Sequence, residues 1–574
     1  MSHQAPAGTG KRSYHILTIK QINNMRINKS LLPVIPVLFT ACTGTGNDNT
    51  SRNQKPNVLF ILADDVGYGD LQCYGNPFIE TPVLNSLAAD GIMFTHYYTP
   101  SPLCAPARAA LLTGRFNHRT GAIDVSSNRG IDRIALSEKT FGDYFRHAGY
   151  ATALIGKWHN GLYNPDYLPH NRGFDLFYGF PNGNQNYWNW NLMRNGVNET
   201  NDGRYMTDVF NEEAIQFIRA HKDQPFALFL SHHACHSPIL GGVYQAPDDL
   251  VEKYKPRVRG MYDDIVAVIY AQIEAMDRGL GSVFDELQSL GLWENTIIVF
   301  TSDNGALMSG RPGESMFRYN AGLSGNKSEV LEQGVRVPAI VAWPGKMKGG
   351  RVETVPVNGI DWLPTLYSLT GEAPPQGAKP MDGLNIMPLL LGEEMPELFE
   401  RPLTFQKTRY TPVAHSSGAI RDGRWKLRWP GERTTMMKEG ARDNYFVHKG
   451  ANEPHWEMPL DPEIPSHENV KTEAPKLFDI LADPAERNDL SSLYPELAQT
   501  LKEKYEAWFF EVYTEWEQSF REVIEHDREY WKDREAPDPV TLFSDYWEWR
   551  FAPEGTDPDT ANPLEVFTGY WSYE

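Results

Sequence analysis

Four short apolar runs along the chain predict buried β-strands. They lack the polar alternation of a half-exposed strand, so both faces of each are expected to be covered. The runs are residues 58–62, 151–155, 226–230 and 297–300. Between them, Thr81-Pro82 and Gly91 mark the start and end of one predicted helix. Apolar residues at spacings of three and four predict another over residues 262–290. Strands that alternate with helices indicate an α/β fold with a mostly parallel sheet.

A polar cluster follows each of the four runs. The first run ends at Asp64-Asp65, and the second leads into Gly-Lys-Trp-His at 156–159. The third leads into Ser-His-His-Ala-Cys-His at 231–236, and the fourth into Thr-Ser-Asp-Asn-Gly at 301–305. The carboxyl ends of parallel strands share one edge of the sheet, where ligands bind. We therefore expect the four clusters to meet there.

The stretch 101–114 places a cysteine and an arginine at one helix end. Pro106 suits a first helical position, the Ala-rich run favours helix, and Gly114 can end it. Cys104 then lies at the helix N-terminus, and Arg108 is one turn further on the same face. Such an end suits an anionic substrate. The alternative is a structural cysteine on an Ala-rich core helix.

A change of composition after about residue 410 indicates a smaller α+β C-terminal domain. Residues 419–428 read as a hairpin with Asp-Gly at the turn, and residues 477–480 as a strand. An amphipathic helix is predicted over 493–513. The last sixty residues are rich in acidic and aromatic side chains, which either cover an apolar surface or stack on sugars.

Composition limits the classes of function. The chain has 574 residues, 41% hydrophobic and 12% aromatic, enough for two globular domains. A net charge of −20 argues against a nucleic-acid partner, and an anionic substrate would need a local basic site. Four cysteines are too few for a disulfide scaffold, and whether Cys73 and Cys235 pair stays open.

The N-terminal region resembles a targeting segment. Residues 25–42 combine a basic start, a short apolar run at 31–39 and a Thr-Ala-Cys sequence that resembles a bacterial lipoprotein box. The run is too short to span a membrane. We expect a lipoprotein signal at 25–42 and a linker at 43–55. The protein is then exported to the periplasm or cell surface, and a lipid anchor on Cys42 is its sole expected contact with the membrane. An ordinary signal peptide is the alternative, and residues 1–24 are left unassigned.

The pattern Cys-x-Pro-x-Arg, followed by Leu-Thr-Gly-Arg at 112–115, resembles the signature of the type I sulfatases. In that family this cysteine is oxidised to formylglycine. The opening at 56–65 and the pair Asp303-Asn304 extend the resemblance over most of residues 55–410. The resemblance, which is to bacterial carbohydrate sulfatases, implies an alkaline-phosphatase-like fold. It places a large mostly parallel sheet flanked by helices in a catalytic domain at 56–410, and a C-terminal subdomain at 411–574.

The same resemblance implies the composition of a catalytic centre. It assigns one Ca²⁺ to hard oxygen ligands from Asp64, Asp65, Asp303, Asn304 and the modified Cys104. It also implies a sulfate-binding Lys157 and a His159 beside formylglycine. His236 matches the leaving-group histidine, although the nearby His232 and His233 make that choice less secure. Lys327 precedes a segment, 332–338, in which Gln333 stands where a glycine is common.

The implied reaction is sulfate-ester hydrolysis. Arg108, Lys157 and Lys327 would hold the non-bridging oxygens. One hydroxyl of the hydrated aldehyde would attack sulfur, with Asp303 as base. The other hydroxyl, deprotonated by His159, would expel sulfate, and His236 with Lys327 would protonate the departing alcohol. A maturation enzyme must supply the oxidation.

Other activities are also compatible with these residues. One is a phosphonate or phosphate-ester hydrolase of the same superfamily, in which the metal pair more often reads Asp-His than Asp303-Asn304. Another is a glycan-binding protein with an inactive enzyme fold. A sulfated glycan is the expected substrate. The Asn-, Trp- and Tyr-rich stretch 181–196 is either part of a sugar subsite or a structural loop.

Overall fold

The computed structural model describes residues 55–125, 130–162, 164–238, 244–259, 263–308, 318–407, 412–430 and 473–534. The expected lipoprotein signal at 25–42 and its Cys42 lie outside these ranges. So do residues 1–24, nearly all of the linker at 43–55, and the aromatic residues after Arg534.

Strands and helices alternate through most of the chain. The strands are β1 (Asn57–Ala63), β2 (Ile92–Phe94), β3 (Tyr97–Tyr98), β4 (Ala151–Lys157), β5 (Leu176–Phe180), β6 (Asn191–Arg194), β7 (Val197–Thr200), β8 (Phe226–Ser231), β9 (Thr296–Ser302), β10 (Ala339–Ala342), β11 (Arg351–Glu353), β12 (Val357–Asn358), β13 (Leu403–Gln406), β14 (Gly418–Asp422), β15 (Trp425–Arg428) and β16 (Lys476–Asp479). The α-helices are α1 (Pro82–Asp90), α2 (Cys104–Thr113), α3 (Asn117–Thr120), α4 (Phe141–His147), α5 (Met206–Ala220), α6 (Asp248–Tyr254), α7 (Asp263–Ser289), α8 (Glu332–Val335), α9 (Trp362–Ser368), α10 (Met387–Leu391), α11 (Glu397–Glu400) and α12 (Pro495–Trp531).

A ten-stranded mixed sheet has the order β11-β2-β10-β9-β1-β8-β4-β5-β6-β7. Its five central strands, β9, β1, β8, β4 and β5, are parallel to one another. Antiparallel pairs extend the sheet on both sides. The four apolar runs predicted as strands are β1, β4, β8 and β9, so the predicted mostly parallel α/β fold is confirmed.

Both faces of the sheet are covered by helices, as the apolar runs require. Successive residues of a strand point to opposite faces. Leu59 and Ile61 of β1 thus pack with residues of α1, α5, α6 and α7, whereas Phe60 and Leu62 pack with α2, α4 and α9. The central strands are buried between the two layers.

Strand register brings the four polar clusters to one edge. Ala63 of β1 lies opposite Ser302 of β9. Leu62 lies opposite Ser231 of β8, which in turn lies opposite Gly156 of β4. The segments that follow these strands therefore leave the sheet side by side, as expected from the sequence.

Helix α2 begins two residues earlier than the sequence predicts. Its first residue is Cys104, with Leu103 extended as the N-cap, so Pro106 occupies the third helical position. Proline is tolerated there because the N–H groups of the first turn have no partner within the helix. Gly114 adopts φ +67° and ends the helix as predicted.

A separate four-stranded antiparallel sheet has the order β13-β14-β15-β16. The predicted hairpin is present as β14 and β15, and the predicted strand at 477–480 as β16. With α12 this sheet forms the smaller α+β part of the fold. Its first strand, β13, lies before residue 410, where the composition changes.

The C-terminal helix α12 is longer than the predicted 493–513. Buried positions continue at Trp516, Ser519, Val523 and Asp527, at spacings of three and four, and no glycine or proline interrupts them. The added turns pack against the catalytic part, where Ser519 Oγ donates to Arg119 O at 2.7 Å. Trp516 is buried, so it covers an apolar surface and is not available to stack on a sugar.

Two further expectations concern the described residues. No helix among them is long and apolar enough to cross a membrane. Cys73 and Cys235, whose pairing the sequence left open, are free thiols, as is Cys104.

Candidate active site

Three buried carboxylates meet at the edge formed by β1 and β9. Asp64 and Asp65 follow β1, Asp303 follows β9, and one oxygen of each lies within 4.8 Å of the others. Asp65 N donates to Asp303 Oδ1 at 3.2 Å. Asp65 adopts φ +64°, a left-handed conformation that is rare for aspartate. This turn lets two consecutive carboxylates reach the same cluster, which an extended chain would direct to opposite sides.

A buried cation pairs with each carboxylate. Arg108 Nε donates to Asp303 Oδ2 at 2.9 Å, and its Nη2 lies 2.8 Å from the same oxygen. Lys157 Nζ lies 2.7 Å from Asp64 Oδ2, and Lys327 Nζ lies 2.6 Å from Asp65 Oδ1. Three formal negative charges therefore face three positive ones. The cations expected to hold sulfate oxygens also hold the carboxylates in place.

The pKa values reflect both burial and charge. Burial alone would raise the pKa of Asp64, but Lys157 and the other cations outweigh it and hold that pKa well below its ordinary value. Burial likewise opposes ionisation of Asp65, yet Lys327 lowers its pKa. Burial and the charge of Asp64 raise the pKa of Asp303 to about 7, despite Arg108.

The oxygen atoms of this cluster fit a divalent cation. Asn304 follows Asp303, and its Nδ2 donates to Asp65 Oδ1 at 2.7 Å. Its Oδ1 is buried without a hydrogen-bond partner among the described residues, and so is Asp64 Oδ1. Buried acceptors normally have partners, and carboxylate and amide oxygens are the ligands that Ca²⁺ and Mg²⁺ prefer. Four of the five predicted metal-binding side chains, all but Cys104, are thus together.

Cys104 lies at the N-terminus of α2, beside this cluster. Burial raises the pKa of its thiol, which the charges of Lys157 and Lys327 only partly oppose. The thiol is therefore protonated and a poor nucleophile, unlike the thiolates of cysteine-dependent enzymes. The first turn is fixed from outside, because Asn160 Nδ2 donates to Ala105 O at 2.9 Å and Ser328 N donates to Pro102 O at 2.9 Å.

His159, after β4, is buried at the same edge. Its Nε2 lies 3.3 Å from Val125 O, which can only accept, so Nε2 carries the proton. Nδ1 then holds a lone pair with no partner among the described residues. Burial lowers the pKa of His159 well below its ordinary value, so the ring is neutral. A side chain at Gly183 would come 2.7 Å from this ring, so glycine lets this part of the stretch 181–196, predicted as a loop but containing β6, pass close to His159.

The structure separates the three neighbouring histidines. His236 Nδ1 donates to Ser237 O at 2.7 Å, which leaves Nε2 3.8 Å from Asp65 Oδ2. His233 Nδ1 donates to Asp64 Oδ2 at 3.0 Å. His232 is buried with neither ring nitrogen hydrogen-bonded to a described residue, and its ring lies near Phe210 of α5. Burial lowers the pKa of both His232 and His236 to about 3.

Three side chains make contacts at the site that the sequence analysis did not predict. His233 was only one of three adjacent histidines, and sequence cannot say which ring turns to the carboxylates. Arg318 Nη2 donates to Asp65 O at 2.8 Å and pairs with Asp70 at 2.9 Å, and no motif marks it. Gln333 is buried close to Gly67, two residues after Asp65, and its amide has no partner among the described residues.

Comparisons with known proteins find similar sequences and a similar structure. A family model described as Sulfatase matches residues 56–372. The chain is 33% identical to N-acetylgalactosamine-6-sulfatase of Canis lupus familiaris, over 64% of this chain and 72% of that protein. It is 31% identical to human arylsulfatase A, over 78% and 87%. A crystal structure of Ps i-CgsB in complex with k-i-k-neocarrahexaose superposes with a TM-score of 0.65 at 27% identity, over 82% and 94% of the two chains.

Proposed function

This chain belongs to the sulfatase family, and on that premise we propose that it removes sulfate from a sulfated glycan, using formylglycine formed from Cys104 and one bound Ca²⁺. The enzyme is a sulfatase, a hydrolase of sulfuric esters. The glycan is supported by two similar proteins, one named as an N-acetylgalactosamine-6-sulfatase and one solved in complex with k-i-k-neocarrahexaose.

One observation carries the proposal. A buried thiol at the start of α2 lies beside a cluster in which three carboxylates are each paired with a buried cation. Sulfation of a thiol would leave an adduct with no intramolecular exit. Formylglycine, as its hydrate, supplies two hydroxyls on one carbon, one to attack sulfur and one to release the sulfate.

Asp64, Asp65, Asp303 and Asn304 would hold Ca²⁺, with the modified residue 104 as a further ligand. When bound, the ion supplies positive charge to the sulfate oxygens. The chain itself adds Lys157 and Lys327, whose charges both act on the position of Cys104. Arg108 serves mainly to fix Asp303, because its remaining Nη1 donates to Ser231 Oγ at 2.6 Å. These fixed charges need no rearrangement as negative charge builds up on the sulfate.

The proton transfers fall to His159, His236 and Lys327. His159 offers a free Nδ1 lone pair, which suits a base that deprotonates a hydroxyl of residue 104. Burial would lower the pKa of Lys327, but Asp65 raises it above its ordinary value, so the lysine is charged. Lys327 therefore carries the proton that reaches the departing alcohol, and His236 Nε2, which holds a lone pair, orients that alcohol by accepting from the hydroxyl that forms.

Export is part of the same proposal. The basic and apolar pattern of residues 25–42 supports export with a lipid anchor on Cys42, and a maturation enzyme in the producing cell would oxidise Cys104. Replacing Cys42 with Ser is expected to release the protein from the membrane fraction. Unchanged membrane association of that variant would contradict the anchor.

The central test combines mass and activity. Protein from a host that expresses a maturation enzyme is digested, and the peptide with residue 104 is expected to be about 18 Da lighter than the cysteine form. Sulfate release is then measured over a panel of sulfated mono- and disaccharides and an aryl sulfate, with an aryl phosphonate ester in parallel. Cys104→Ala should show no turnover. An active protein with an unmodified thiol would refute the mechanism, and faster phosphonate turnover would refute the assignment to sulfate.

A further inference from the structure

Four stacked rings link the loop at 181–196 to the catalytic edge. Tyr205 stacks on Tyr187, Tyr187 on His233, and His233 on His236. The successive centroids lie 5.4, 5.1 and 5.0 Å apart, with planes inclined by 17°, 21° and 26°. One end of the stack faces Asp65. At the other end Trp188, which is 39% exposed, lies 4.9 Å from the Tyr205 ring.

Tyr187 also fixes the backbone of both histidines. Its hydroxyl lies 2.7 Å from His233 O and 3.0 Å from His236 O, so its single proton is shared by the two carbonyls that close this turn. Tyr187 is fully buried and is itself fixed at both backbone atoms. Its N donates to Gln245 Oε1 at 2.9 Å, and its O accepts from Met206 N at 2.8 Å.

We infer that Tyr187 is a positioning residue that sets where His236 Nε2 points toward the departing alcohol. The inference rests on the proposed function. His236 Nδ1 is committed to Ser237 O, so the direction of Nε2 depends on the backbone of the turn and on the ring packed against it. The Tyr187 hydroxyl holds that backbone, and its ring packs on His233, the ring that lies against His236. Trp188, the next residue, is exposed and can contact a sugar. Adjacent residues therefore contact the sugar and position His236, which meets the leaving oxygen.

The test uses leaving groups of graded acidity. The phenol of 4-nitrophenyl sulfate leaves readily without help, whereas that of 4-methylphenyl sulfate needs more assistance from the enzyme. In Tyr187→Phe all four rings of the stack remain and only the hydroxyl with its shared proton is lost. We expect kcat/KM for 4-methylphenyl sulfate to fall about fivefold to tenfold more than kcat/KM for 4-nitrophenyl sulfate.

A matched control is Tyr74→Phe. The Tyr74 hydroxyl also bridges two backbone carbonyls, Phe94 O at 2.9 Å and Ala339 O at 2.8 Å, in the core away from the site. Its loss should change kcat/KM for both substrates by the same small factor. Gln245→Met, which removes the acceptor for Tyr187 N from a half-buried position, is the second variant should Tyr187→Phe fail to fold. It should show the same dependence on the leaving group, more weakly.

Equal losses for both sulfates in Tyr187→Phe, or in Gln245→Met if only that variant folds, would overturn the inference and leave Tyr187 a packing residue. If mature wild-type enzyme releases sulfate neither from these two substrates nor from the sulfated saccharides of the panel, the proposed function is refuted, and the inference with it. A loss that grows as the phenol becomes less acidic supports the positioning role.

Discussion

Replacing Lys157 with methionine tests the charge balance of the site. Lys157 Nζ lies 2.7 Å from Asp64 Oδ2, and neither side chain is exposed. Methionine fills a similar volume without the charge, so Asp64 loses its nearest cation. Removing one partner of a buried ion pair costs about 3–5 kcal/mol, because the other charge stays buried and uncompensated.

This cost converts to a measurable change in melting temperature. Unfolding entropy is about 2.1 cal/mol/K per residue, so the roughly 480 residues from Lys55 to Arg534 give about 1 kcal/mol/K and a decrease of about 3–5 °C. The assay is differential scanning calorimetry in EDTA. Saturating Ca²⁺ should then stabilise Lys157→Met more than wild type, because the variant site carries one more negative charge and no lysine competes for Asp64.

Lys426→Met is the matched control. Lys426 Nζ lies 2.9 Å from Glu332 Oε1 and 2.9 Å from Glu486 Oε1, all three side chains being unexposed. It should melt lower in EDTA by a similar amount but gain no more from Ca²⁺ than wild type does. The prediction is wrong if Lys157→Met and wild type have the same melting temperature in EDTA. It is also wrong if Ca²⁺ raises the melting temperatures of Lys157→Met and Lys426→Met equally. Turnover by Lys157→Met should fall about 10²- to 10³-fold.

Three further predictions address single residues. His232→Leu should keep kcat/KM within about twofold and not lower the melting temperature, since no hydrogen bond to a described residue is lost. A large loss of turnover would contradict this and indicate a role for His232 in catalysis. Because the pKa of Asp303 is raised from 3.8 to about 7, the Ca²⁺-free folded state binds a proton that the unfolded chain releases. The free energy of unfolding in EDTA should therefore fall as pH rises from about 4 to 7. In Asp303→Asn the urea midpoint should fall less over this pH range, and equal falls in variant and wild type would contradict the prediction. Trp188→Ala should raise KM about threefold to tenfold for a sulfated oligosaccharide and leave KM for an aryl sulfate unchanged; equal changes would remove the sugar-stacking role.

The catalytic edge could be predicted because its residues lie directly beside strand and helix signals in the sequence. Asp64 and Asp303 each follow an apolar run that can only be a buried strand, and parallel strands bring such ends together. The N-terminal place of Cys104 followed from the helix signals around it, although Pro106 suggested a later start.

What the sequence could not give depends on distant contacts. The histidine that faces Asp64 is decided by how residues 231–236 leave β8, which no periodicity encodes. Arg318 reaches Asp65 and Asp70 from a segment about 250 residues away. The extension of α12 past residue 513 is different, because its spacing of buried positions and its lack of glycine or proline are visible in the sequence, and only its contact with Arg119 of α3 is not.

The burial of Cys104 sets an order of events in the cell. Only 3% of its surface is exposed, because strand ends and loops separated by hundreds of residues close around it. If Cys104 is oxidised as we propose, the oxidising enzyme must reach a side chain that folding buries, so we expect it to capture the nascent chain while this stretch is still extended. Asp303 is made about 200 residues later, which at about 5–20 residues per second leaves an interval of about 10–40 s. Fast early folding would trap inactive enzyme, so yield of active protein depends on kinetic competition during synthesis.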